Sequence, residues 1–186
     1  MQFPMARPDV VRAINQRWLL NIWGRHLHGH RVPRWQAVEA ENLAALSDTL
    51  SFLDLIDRNG QTRFMVRFHG ATISRVYGSA DCRGRYLDEM IPPTACADAL
   101  LPYHRTVECG CPVYTIHDVT DSNGRLVHYE RLLLPFAHDG RKVDRILASF
   151  EFICADGAFD TEALLKTQSG PPALRLSAQI EVHATV

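Results

Sequence analysis

Cysteine, closely spaced histidine and charge set into apolar strands are the residues of this chain with chemistry beyond packing. Cys82, Cys96, Cys109, Cys111 and Cys154 make an odd count without framework spacing, which reads as free thiols in a reducing compartment. Cys82 stands beside Arg83 in "YGSADCRGRYLDEMI". It is either a reactive thiol next to a cation or a small buried hydrophobe. Cys109 and Cys111 flank Gly110 in "ECGCP", with His104 five residues upstream. Metal or redox chemistry there competes with a tight turn ending a helix. The turn is preferred, because structural zinc sites use a wider spacing and a second ligand pair.

His26, His28 and His30 alternate in "GRHLHGHR". On a helix only His26 and His30 share a face, and His near a helix C-terminus is favourable against the dipole. Capping is therefore the expected role, and no metal site is assigned. His104, in "LLPYHRTVE", is the one histidine of the middle region and a candidate for lining a cavity or, less economically, ligating a haem.

Glu130 and Arg131 interrupt the apolar strand "VHYERLLLPF". Neighbouring strand residues face opposite sides, so Tyr129, Arg131 and Leu133 share one face and His128, Glu130, Leu132 and Leu134 the other. If Tyr129 and Arg131 face a cavity, the planar donor fork of Arg suits an anionic or carbonyl ligand. The competing reading is an exposed Arg paired with a carboxylate or laid over an N-terminal helix. Asp54, Asp118 and Glu151 lie in strand-like runs and, if inward, could support acid–base catalysis in a small cavity. No nucleophile–base pair, phosphate loop or metal-ligand set accompanies them, so a non-enzymatic role is expected.

The elements that must position these residues follow from periodicity. Pro8 to His30 carries Val10, Val11, Ile14, Trp18, Ile22 and Trp23 at helical spacing, with Asp9 as start signal. So large an apolar stripe must be buried against the chain's own sheet or a second copy; Ile14, Trp18, Ile22 and Trp23 are the dimer-interface candidates. "GHRVPRW" breaks that helix and "WQAVEAENLAALSDTL" reads as a second. "LSFLDLID" and "TRFMVRFH" form a hairpin closed by Asn59-Gly60. Its second strand alternates Thr62, Phe64, Val66 and Phe68 against Arg63, Met65, Arg67 and His69. Short helices fill Gly70 to Cys111. Three more strands follow, with Asn123-Gly124 and Asp139-Gly140 in the turns. The tail alternates from Leu174 to Val186 as a half-buried strand, free to pair with the sheet edge or with another chain.

At 186 residues and 46% apolar, the chain is long enough for one domain with a core. A net charge of −1 argues against a nucleic-acid surface. No apolar run approaches the ~20 residues that cross a bilayer, and the N-terminus lacks an apolar signal-peptide core. A cytoplasmic protein without nucleic-acid or membrane partners is expected. The fold class is α+β with one sheet.

Two hairpin strands, a run of short helices and a three-stranded meander resemble the order of a PAS domain. "HGATISRVYGSADCRGRYLDEMI" is similar to the PAS middle and "YHRTVECGCPVY" to its long connecting helix entering the third strand. "VHYERLLLPFAHDGRKVDRIL" resembles the fourth and fifth strands of a bacterial stand-alone PAS group. Members of that group also carry an N-terminal helix with a Trp and a Pro-containing break like "RVPRWQAVEAENL". The resemblance covers roughly residues 15–155. It implies a five-stranded antiparallel sheet with helices on one face. The division would be an N-terminal helical extension over 1–48, a core over 49–156 and a tail over 157–186.

The resemblance further implies a sensory or protein-interaction module, a cavity between helices and sheet, and dimerisation through flanking helices. Cavity candidates are Phe64, Val66, Phe68, Tyr77, His104, Tyr129 and Arg131. In light-sensing flavin PAS domains the adduct-forming Cys follows the glycine in a Gly-x-Asn-Cys-Arg-Phe-Leu-Gln pattern. Here Gly84-Arg85-Tyr86-Leu87 puts Leu87 at that position and Cys82 before the glycine. This departure argues against a flavin photoreceptor and makes Cys82 a packing residue. No cofactor is required, and haem and flavin are both disfavoured. The expected function is regulatory: a small ligand, a regulatory protein partner or both, in a homodimer without catalysis. The alternatives are a small-cavity enzyme with a buried carboxylate and a haem- or metal-binding redox sensor.

Overall fold

Asn59 and Gly60 both adopt positive φ, 56° and 80°, the conformation a two-residue hairpin turn requires. They join β2 (Leu50–Arg58) to β3 (Gln61–His69). The computed structural model describes residues 1–39, 41–168 and 171–182. After the hairpin come α3 (Ala71–Val76), α4 (Leu87–Met90) and α5 (Pro93–Cys109). The meander β4 (Val113–Thr120), β5 (Leu126–Phe136) and β6 (Arg145–Cys154) follows. Its turns place Gly124 and Gly140 at φ 77° and 73°. The α+β class and the expected order of elements hold.

The sheet is larger than the five antiparallel strands expected. Its order is β1-β7-β4-β5-β6-β2-β3, seven strands among the described residues. The tail forms β7 (Ala173–Ile180), antiparallel to β4 within the same chain, and β1 (Met5–Ala6) lies parallel to β7. An uncovered β4 edge would present a row of unpaired backbone groups; the alternating tail covers it. His183 to Val186, the end of the expected strand, lie outside the described residues.

The N-terminal helix is shorter than its apolar spacing predicts. Pro8–Val10 is a single 3-10 turn and α1 spans Ile14–Arg25. Between them Val11 and Ala13 are extended, and the Arg12 N–H donates to the Tyr114 hydroxyl at 3.3 Å instead of to a helical carbonyl. The expected second helix is likewise divided into α2 (Trp35–Glu39) and a 3-10 segment at Ala44–Thr49.

The sheet has two covered faces. Helices α3, α4 and α5 lie on the inner face, while α1 crosses β5 on the outer face and buries Leu19, Leu20, Ile22 and Trp23 there. Two polar anchors fix α1: Trp23 Nε1 donates to the Pro135 carbonyl at 2.7 Å, and Gln16 Nε2 donates to the Glu130 and Ser149 carbonyls at 3.2 and 3.0 Å. Ile22 and Trp23 are thus spent on the chain's own sheet and cannot form the dimer interface assigned to them. Ile14 and Trp18, one helical turn apart, remain 76% and 41% exposed.

Candidate functional site

Strand alternation sets the site. Arg131 pairs across the sheet with Thr115 and Phe150, and Tyr129 pairs with His117 and Phe152, all on the inner face. The β5 neighbours Glu130 and His128 point outward, as the period of two requires. A cavity of about 30 Å³ lies between this face and α5, lined among others by Tyr77, Tyr129, Arg131, Phe150, Ala95 and Ala99. Leu165 and Pro172, from the segment leading into β7, close it on a third side. That volume holds about two water molecules or a small ion.

Arg131 is 2% exposed. Its Nε donates to Thr115 Oγ1 at 3.4 Å and its Nη1 to the Ala99 carbonyl at 3.3 Å, both long and both to neutral acceptors. Pro102 interrupts the backbone ladder of α5, and Ala99 lies in the turn just before it. Nη2 has no partner. The guanidinium carbon lies 4.9 Å from the centre of the Tyr103 ring. None of the described residues lining the cavity is a carboxylate. An always-charged group is therefore buried with no counter-charge at its side, an arrangement that costs several kcal/mol.

His117 supplies a second unsatisfied atom on the same face. It is 4% exposed, stacks on Tyr129 with ring centres 4.9 Å apart, and among the described residues its Nδ1 has no partner. Burial and the nearby Arg131 charge hold its pKa down at about 3, so the ring is neutral at physiological pH. Burial likewise pushes the Tyr129 hydroxyl up to about 12 and those of Tyr77 and Tyr103 above their ordinary value. All three stay protonated donors.

Of the seven cavity candidates, Tyr77, Tyr129 and Arg131 line the cavity. Phe64 and Val66 face inward into the core around it, Phe64 against Tyr103 with ring centres 5.4 Å apart. Phe68 does not face inward. A bulge between Phe52 and Leu53 lets β3 pass one extra residue, Arg67, between its pairs, so Phe68 swings out beside Phe52 on the outer side. His104 is half-buried, edge-on to Phe64 at 5.0 Å, and does not line the cavity. Its neighbour Tyr103, which the sequence reading passed over, is the residue α5 turns inward.

The three candidate carboxylates all sit on the outer face. Asp54 pairs with Arg67 at 2.7 Å and Arg145 at 2.9 Å. Asp118 accepts from His128 at 2.5 Å and from Arg175. Glu151 accepts from Asn15 Nδ2 at 3.2 Å, and burial raises its pKa. None of the three lines the cavity.

Cys82 is 2% exposed and packs in the core, as expected. Leu87, at the position of the flavin-reactive Cys, is buried in α4. His26 pairs with Glu41 at 3.1 Å. Among the described residues no three His, Cys, Asp or Glu groups converge on a metal position. Cys109 and Cys111 depart from expectation: they are bonded to each other across Gly110, and only Cys82, Cys96 and Cys154 are free. Among the described residues no helix is long and apolar enough to cross a membrane.

No curated protein matches the chain. A family profile described as PAS domain matches residues 11–151, well over half of the 186. With the hairpin, the helical middle and the meander in PAS order, the chain belongs to the PAS domain family.

Proposed function

We propose that this PAS domain is a non-catalytic regulatory module that takes a small monoanion at Arg131 and passes the signal by contact with another protein. The observation that carries the reading is the buried guanidinium with Nη2 unpartnered and no carboxylate beside it. An anion entering the cavity supplies the missing charge. The cavity volume suits the smallest monoanions, such as chloride or formate.

The route outward is short. Arg131 on the inner face adjoins Glu130, whose carbonyl holds Gln16 of α1, and Pro135 further along β5 holds Trp23. An anion that favours one setting of β5 shifts the population of α1 positions, to the extent that its affinity for the two settings differs. The exposed pair Ile14 and Trp18 on α1 supports a second element of this reading, a homodimer or partner contact made by that helix.

The test is thermal unfolding in formate, acetate, nitrate and chloride at constant ionic strength. A saturable rise in Tm for one anion class supports the reading, since a ligand at 100 times its Kd adds about 2.7 kcal/mol. A Tm that does not distinguish among these anions refutes it.

A further inference from the structure

The Cys109-Gly110-Cys111 turn joins α5 to β4 and plays no part in the anion site. Gly110 sits at φ 62°, and its N–H closes α5 on the Thr106 carbonyl at 3.0 Å. This left-handed cap brings the cysteine Cα atoms to 5.2 Å, within bridging range. Arg31 lies over the turn. Its Nη2 reaches the Glu108 and Cys109 carbonyls at 3.4 and 3.3 Å, and its Nε would stand 3.2 Å from a Cβ at Gly110. A guanidinium is therefore held against the glycine between the two sulfur-bearing residues. A groove of about 350 Å³, bordered by Cys111, Gly110, Arg31, His30 and Trp23, opens onto the turn.

The surroundings also fit the reduced form. Cys111 Sγ is 3.6 Å from Gln179 Oε1 and Cys109 Sγ is 3.9 Å from the Thr106 carbonyl. As thiols, both would donate to acceptors already in place. The Cys111 N–H points at Cys109 Sγ at 3.2 Å, and with the Arg31 charge it favours a thiolate there. Both redox states thus have their partners without rebuilding the backbone.

We propose that this turn is a thiol–disulfide exchange site that accepts electrons from a dithiol, with Arg31 as its activating cation. A donor thiolate enters the groove and attacks Cys111 Sγ. The Cys109–Cys111 bond breaks, and Cys109 leaves as a thiolate steadied by Arg31 and the Cys111 N–H. The donor's second thiol then displaces Cys111 from the mixed disulfide. The donor ends as a disulfide, and the chain has gained two electrons and two protons as two thiols.

The experiment uses the full folded chain in mixtures of reduced and oxidised dithiothreitol, quenched by alkylation and read by peptide mass mapping. The peptide holding residues 109 and 111 is expected to convert from unlabelled to doubly labelled in one two-electron step while circular dichroism stays native. Buried Cys82 stays unlabelled in the same samples. Arg31→Gln is expected to slow reduction several-fold, and Arg31→Lys to restore most of the rate. Double labelling in oxidised dithiothreitol alone, reduction only on unfolding, or an unchanged rate in Arg31→Gln would each overturn the proposal.

Discussion

Arg131 lies over the ring of Tyr103 in the core, its guanidinium carbon 4.9 Å from the ring centre. A desolvated cation–π contact contributes about 2 kcal/mol, less than the several kcal/mol that burying a charge costs. The two long hydrogen bonds to Thr115 and Ala99 offset only part of the remainder. On the function proposed above, a monoanion beside Nη2 offsets the cost that remains.

Arg131→Met tests that cost directly. Methionine keeps most of the stem and drops the charge. In buffer free of small anions the variant is expected to match the natural protein or exceed it by about 1–4 kcal/mol in urea unfolding. Its stability should no longer respond to anions. A loss of more than about 3 kcal/mol would mean that the guanidinium is already satisfied by its protein neighbours.

Trp23 binds α1 to the sheet through one hydrogen bond and a large buried surface. Pro135, the acceptor, stands within a central strand with no N–H of its own to give. Trp23→Phe should cost about 1 kcal/mol for the hydrogen bond, with some added loss of packing. Trp23→Ala should cost about 3–5 kcal/mol. Denaturant midpoints of the two variants separate the contributions; a Trp23→Phe loss near zero would show that the hydrogen bond contributes nothing.

Trp18 shares α1 but not this duty. At 41% exposure, with Ile14 beside it, it presents apolar surface outward. Trp18→Glu is expected to change stability by no more than about 0.5 kcal/mol, yet to convert a dimer to a monomer in sedimentation velocity. An unchanged sedimentation coefficient would sink the assignment of α1 as an interface.

Much of this was legible in the chain because a strand's period of two leaves no choice. Once "VHYERLLLPF" is a strand, Tyr129 and Arg131 must share a face, and the inner face is the one under the helices. Hairpin turns were legible because only residues tolerant of positive φ fit them. Phe68 was misplaced because a bulge changes the period by one residue, and the extra residue, Arg67, leaves no mark in the alternation. Tyr103 was passed over for His104 because chemistry was sought by residue type. The phase of α5 depends on which side meets the sheet, a tertiary fact. Gln16 lies outside the apolar stripe of α1, so nothing in the periodicity marks it, yet it is 0% exposed with its amide on two strand carbonyls.

His117 makes the site's acid sensitivity calculable. Burial, then the Arg131 charge, hold the folded pKa near 3, and the Asp118 carboxylate only partly opposes them. The unfolded imidazole titrates near 6.5. Below that pH the unfolded chain binds the extra proton, so stability contributed by neutral His117 is complete above about 6.5 and is lost as pH falls toward 3. His69, held at about 4 by burial, acts in the same direction. His117→Phe keeps the stack on Tyr129 and removes the titration. Urea unfolding of the natural protein and this variant should run parallel above pH 7. At pH 5 the natural protein should have lost about 2 kcal/mol more. Because His69 and every carboxylate are common to both proteins, that difference isolates His117. Curves that stay parallel down to pH 5 would mean that the ring finds water or a proton in the folded state, and that the inner face around Arg131 is less dry than its burial indicates.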